Sequence, residues 1–110
     1  MRLSNKEREV MALLWNSDAP MTAAEIVEVS ENRSWKENSI YIIIKSLVDK
    51  GAAAYFGLKP TATNNARTLK PVISAEDYAL SIIEDFKKGD TFDIKLDVDI
   101  LIDGIRSMKQ

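Results

Sequence analysis

Two capping boxes one short turn apart, a segment of about fourteen residues closed by glycine, and a Gly/Pro/Thr/Asn-rich stretch between two β-prone runs predict a mainly α chain with a small β-hairpin. The order helix, helix, longer helix, hairpin is that of a winged helix-turn-helix, here followed by C-terminal helices expected to make a dimer. The division that follows is a winged unit over residues 1–73 and a helical tail over 74–110.

Ser4-Asn5-Lys6-Glu7 opens the first helix, because the Ser4 hydroxyl and the Glu7 carboxylate each satisfy a backbone donor that has no partner within the helix. The helix is expected to reach about Asn16, burying Val10, Leu13 and Leu14, and Asp18-Ala19-Pro20 stops it. Thr22-Ala23-Ala24-Glu25 repeats the capping box and starts a shorter helix with Ala23, Ile26 and Val27 inward. Ser30 to Lys36 is polar and irregular. A helix over residues 37–50 then ends at Gly51, the residue suited to a left-handed cap.

This third helix is the informative one. At 100° per residue Ile40, Ile43, Ile44 and Leu47 fall on one side, while Asn38, Ile42, Lys45, Ser46 and Asp49 gather on the other with Ser39 at the edge. The β-branched triplet at 42–44 favours a strand locally, but length, period and the glycine stop outweigh it. Ala52 to Phe56 and Arg67 to Lys70 read as two short antiparallel strands, with GLKPTATNNA as a long loop between them.

Ser74 caps a fourth helix running to about Lys88, with Ala79, Ile82, Ile83 and Phe86 at i, i+3, i+4 and i+7. A last segment from about Asp97 puts Val98, Leu101, Ile102, Ile105 and Met108 on one stripe. Two narrow stripes bury little within one chain, so Ile82, Phe86, Val98, Leu101, Ile102 and Ile105 are expected at the contact between two subunits.

Composition excludes most chemistry. The 110 residues contain no cysteine and no histidine, which removes thiol nucleophiles, thiolate metal sites, disulfides and imidazole bases. No catalytic constellation remains, so an enzyme is not expected. The aspartates at 90, 93, 97, 99 and 103 lack the glycine and closing glutamate of a calcium loop, and no metal or cofactor is expected. No apolar run approaches the roughly 20 residues that span a bilayer. Without a membrane span or a leader-like start, the expectation is a cytoplasmic protein. Net charge is −2 overall but uneven: residues 1–73 carry ten Lys/Arg against eight Asp/Glu, and residues 74–110 carry five against nine.

The stretches LSNKEREVMALLW, MTAAEIVE, RSWKENSIYIIIKSLVDKGA and RTLKPVISAEDY, in this order over roughly residues 3–78, resemble the penicillinase and methicillin-resistance repressors, the winged-helix family that also holds copper-responsive repressors. Trp15, the Thr22-Ala23-Ala24-Glu25 run, Trp35, Leu47-Val48 and Lys50-Gly51-Ala52 occur together at the family's spacings. The resemblance implies a homodimeric repressor that sets the helix at 37–50 in the major groove of a palindromic operator in double-stranded DNA.

Given that role, Asn38 suits an adenine edge or a phosphate, Ser39 donates to either, and Ile42 suits a thymine methyl. Lys36, Lys45 and Arg67, with Lys59 or Lys70, suit phosphates, and Ser46 stands where the family usually has arginine. A copper switch through cysteines is excluded. Trp15 and Trp35 are expected in the core rather than against bases, and Tyr41 is left open between phosphate contact and core flank. Two alternatives stand beside the repressor: a winged-helix protein-interaction module without DNA binding, and a small-molecule sensor with Tyr55, Phe56, Tyr78 and Phe86 around a pocket.

Overall fold

The computed structural model describes residues 1–87. Both capping boxes form as the sequence dictates. Ser4 N–H donates to Glu7 Oε1 at 2.7 Å and Glu7 N–H to Ser4 Oγ at 3.2 Å, opening α1 (Asn5–Trp15). Thr22 and Glu25 exchange the same two bonds at 3.0 and 3.1 Å, opening α2 (Ala23–Val29).

Asn32 takes a left-handed φ of 53° in the connection that follows, and the chain enters a single 3-10 turn at Glu37–Ser39 before α3 (Ile40–Asp49). The expected helix over 37–50 is therefore split, its first turn wound more tightly. Gly51 closes α3 at φ 78°, and since a side chain there would meet no atom within 4 Å, the dihedral alone calls for glycine.

The sheet departs from expectation in two ways. The hairpin strands are longer than the sequence suggests: β2 spans Ala53–Pro60 and β3 spans Asn65–Pro71, paired as far as Pro60 and Asn65. Only Thr61 to Asn64 remain as the tip, closed by Thr61 N–H to the Asn64 carbonyl at 2.6 Å and by Asn64 N–H to Thr61 Oγ1 at 3.1 Å. Gly57 and Pro60 are tolerated because β2 lies at the sheet edge, and the register slips between Tyr55 and Gly57 so that Phe56 stands in a bulge. A further two-residue strand β1 (Met21–Thr22) pairs with Leu69 and Thr68, giving a three-stranded antiparallel sheet in the order β1-β3-β2. Thr22 thus ends a strand and caps a helix at once.

The core lies between the sheet base and the helices. Val10, Met11 and Leu14 of α1, Ile26 of α2, and Ile40, Ile43, Ile44 and Leu47 of α3 are buried against Leu69 and Ala52–Ala53. Each large aliphatic side chain removed from water here contributes about 1.5–3 kcal/mol. Both tryptophans belong to this interior: Trp35 is buried, and Trp15 donates from Nε1 to the Ile73 carbonyl at 2.9 Å.

The fourth helix, α4 (Ala75–Lys87), is capped by Ser74, whose Oγ accepts from Asp77 N–H at 3.0 Å. Its inner face corrects the assignment of Ile82 to a contact between subunits. Ala75, Tyr78, Ala79 and Ile82 are buried within the chain, with Ile82 only 2 % exposed and part of the core. The reason is Tyr78, which the stripe had omitted. Its hydroxyl accepts the Leu3 N–H at 2.8 Å and its ring lies 6.0 Å from that of Trp15, pinning this face of α4 to α1. Ile83 and Leu80 are left exposed instead. The side chain of Phe86, and Val98, Leu101, Ile102 and Ile105, lie outside the described residues. Over residues 1–87 the architecture is a winged helix, mainly helical with a three-stranded wing sheet.

Candidate nucleic-acid interface

The amphipathicity of α3 decides what it can present. Its four buried apolar residues fix one side into the core, and a rigid helix held that way displays the opposite side in fixed geometry. On that side Tyr41 is 69 % and Ile42 73 % exposed, and Asn38, Lys45 and Asp49 are exposed with them. Tyr41 and Ile42 thus place two adjacent open apolar side chains among polar ones on this side. Lys36 is exposed just before the 3-10 turn, and Ser39 is half-buried at its end.

An open groove of about 700 Å³ runs between α2 and α3, bounded by Ala24, Val27 and Glu28 on one side and Glu37, Asn38 and Tyr41 on the other. The turn leading into α3 is tied to α1, because Ser34 N–H donates to Glu9 Oε1 at 3.0 Å and its hydroxyl also donates to that carboxylate.

Ser46 is placed differently from expectation. It is half-buried, and its hydroxyl donates to Glu7 Oε2 at 2.5 Å. Glu7, itself buried, also accepts at Oε1 from Lys50 Nζ at 2.6 Å and from the Ser4 amide. Ser46 therefore looks inward to α1 and is corrected from the outer face. Burial alone would raise the Glu7 pKa, but the bonds from Lys50, the Ser4 amide and Ser46 together hold it down to about 2. Lys50 further donates to the Arg2 carbonyl at 3.1 Å. This network fixes α3 against α1 at the helix's C-terminal end.

The wing supplies the other cations. The Arg67 guanidinium carbon lies 3.4 Å from the centre of the Tyr55 ring, and Lys70 Nζ lies 4.2 Å from that of Phe56. Lys59 Nζ meets Glu25 Oε2 at 2.5 Å, tying the wing to the start of α2. Lys59 and the Thr22 amide hold the Glu25 carboxyl below its ordinary pKa. On α3, Lys45 Nζ is 2.9 Å from Asp49 Oδ2, and that carboxylate, with a further push from Tyr55, raises the lysine above its ordinary value.

Of the residues singled out in the sequence, Asn38, Ile42, Lys45, Lys36 and Arg67 are exposed on α3, its approach and the wing, whereas Ser46 turns away. The stack of Arg67 on Tyr55 was not legible, because the bulge at Phe56 resets the facing residues. Glu7 was legible as a cap but not as the anchor of α3, since its partners stand 39 and 43 positions away. The pocket imagined around Tyr55, Phe56, Tyr78 and Phe86 does not assemble: Tyr78 is buried in the core while Tyr55 and Phe56 lie open on the wing. Among the described residues no helix is long and apolar enough to cross a membrane.

Comparison with individually curated proteins returns no match. The family model described as penicillinase repressor matches residues 3–91, taking in both capping boxes, the helix with its exposed face, the wing and α4. That match covers most of the chain and belongs to a family of regulators, not enzymes: the chain is a member of the penicillinase repressor family.

Proposed function

We propose that this protein is a cytoplasmic, homodimeric transcriptional repressor that binds a palindromic operator in double-stranded DNA and occludes a promoter. The observation that carries the reading is the exposed side of α3 and of the 3-10 turn before it, where Asn38, Tyr41, Ile42 and Lys45 stand open while the other side of the helix is locked into the core. A helix of this width fits the major groove, with the wing beside it on the backbone.

In this arrangement Asn38 reads an adenine edge or a phosphate and Ile42 packs on a thymine methyl, with Tyr41 beside it. Ser39, half-buried, contributes at the helix entrance. Lys36, Lys45 and Arg67 fix the register through phosphates, which supplies affinity without sequence information. The dimer uses residues C-terminal to the wing, with the exposed Leu80 and Ile83 of α4 leading into a contact that continues through Val98, Leu101, Ile102 and Ile105.

The test is an anisotropy titration with labelled DNA from upstream of the gene against a scrambled competitor. Specific saturation is expected, and Asn38→Ala with Lys45→Ala abolishes it without lowering the melting temperature. Binding equal to the competitor's would instead favour a protein partner for the same face. Leu101→Asp with Ile105→Asp is expected to give monomers in sedimentation, and an unchanged mass would refute the tail contact.

A further inference from the structure

Two lysines of the surface assigned above to DNA already carry a carboxylate. Lys45 is paired with Asp49 at 2.9 Å, with side chains 76 % and 63 % exposed, and Lys59 is paired with Glu25 at 2.5 Å. Helix stability does not account for Asp49. It is the last residue of α3, where the helix carries its partial negative charge and an acid is unfavourable. Lysine followed by aspartate at i,i+4 is also the weaker orientation of such a pair. Glu25 is different in part: Oε1 serves the capping box, whereas Oε2 is directed to the wing lysine.

Resting on the DNA-binding reading, we propose that Asp49 and Glu25 are built-in counterions. They offset the charges of Lys45 and Lys59 on the free protein, each as a net-neutral ion pair, and limit its affinity for DNA of arbitrary sequence. Non-specific binding is driven almost wholly by releasing small cations from phosphates when protein cations replace them. A lysine that must first leave its own carboxylate brings that carboxylate close to the phosphates and adds little to this term. The exposed Lys45–Asp49 pair and the Lys59–Glu25 pair, whose carboxylate is half-buried, remain in reach of water and open when base contacts on α3 hold the helix in the groove. Asp49 and Glu25 thus set the ratio of specific to non-specific binding without touching a base.

The experiment compares wild type, Asp49→Asn, Glu25→Gln and the double variant on a fluorescein-labelled mixed-sequence duplex of about 30 base pairs, between about 50 and 200 mM salt. Gln at position 25 keeps an oxygen for the Thr22 amide, so α2 stays capped. Asp77→Asn with Glu84→Gln, both exposed on α4, changes the net charge equally and serves as the control. Each freed lysine is expected to steepen the slope of log K against log salt by about 0.9 per protomer and to raise affinity several-fold at the low-salt end, with the control unchanged. Slopes equal to wild type, or a control that steepens as much, overturn the proposal and leave the DNA reading standing. No binding of any duplex by any of the proteins overturns both.

Discussion

Helix α3 carries two lysine–carboxylate pairs at its C-terminal end, and they differ in one respect that separates their roles. Lys50 meets Glu7 at 2.6 Å with the carboxylate 5 % exposed, whereas Lys45 meets Asp49 at 2.9 Å with the carboxylate 63 % exposed. The buried Glu7 carboxylate has little water to replace a lost partner and is completed by Ser46 and the Ser4 amide, although Lys50 itself reaches solvent. The exposed pair has water on every open side. The same chemistry therefore fixes the helix at one position and remains exchangeable five residues earlier, and burial decides which.

Removing the buried carboxylate should have the largest effect. Glu7→Ala leaves the Lys50 ammonium, the Ser46 hydroxyl and the Ser4 amide without their acceptor, and the expected loss is about 2–3 kcal/mol, or a fall of roughly 10–20 °C in melting temperature. Because the folded pKa of Glu7 is about 2, below its usual 4.5, its contribution is present above about pH 4.5 and is lost as the pH falls toward 2. Urea midpoints of wild type and Glu7→Gln, measured across that range, should converge at the acid end. Parallel curves would show that the charge of Glu7 contributes nothing. The salt dependence of DNA binding should not change in either variant, and a change there would erase the distinction between the two pairs.

The same contrast explains what the sequence could and could not disclose. Glu7, Thr22 and Glu25 were legible as caps because a capping box is contained in four consecutive residues. The buried side of α3 was legible because four isoleucines and leucines at a period of 3.6 outweigh the strand preference of Ile42–Ile44. Pairings over long separations were hidden. Strand β1 is two residues long and exists only because Leu69 and Thr68 lie beside it.

Wing length was obscured by Gly57, Pro60 and Asn65, which read as loop residues but are tolerated near an edge and a tip. In α4, apolar residues at 75, 78, 79, 80, 82 and 83 permit two stripes, and the choice between them falls to Tyr78 and its bond from Leu3. Ile82 went to the wrong side for that reason. On the candidate interface, Asn38, Ile42 and Lys45 followed from the helix period, while Ser46 did not, because its partner comes from α1.

Ser46 offers an intermediate test. Its hydroxyl gives one of several bonds to Glu7, so Ser46→Ala should cost about 0.5–1.5 kcal/mol, read from urea unfolding at neutral pH. DNA affinity should stay within error of wild type, since the side chain faces α1. A loss of affinity with intact stability would return Ser46 to the outer face and would imply that its bond to Glu7 opens when DNA is bound.

The smallest expected effect on stability separates the pairs most clearly. Asp49→Asn removes a partner that solvent can replace and also removes a negative charge from the negative end of α3, and these two consequences oppose each other. The melting temperature should remain within about 2 °C of wild type, at low and at high salt. A marked fall would mean that Asp49 holds the end of α3 as Glu7 does, and that the exposed pair is structural after all. An unchanged melting temperature together with a steeper salt dependence on DNA would locate the contribution of Asp49 entirely in what the helix meets, because a residue that only braces the fold alters stability before it alters the release of counterions.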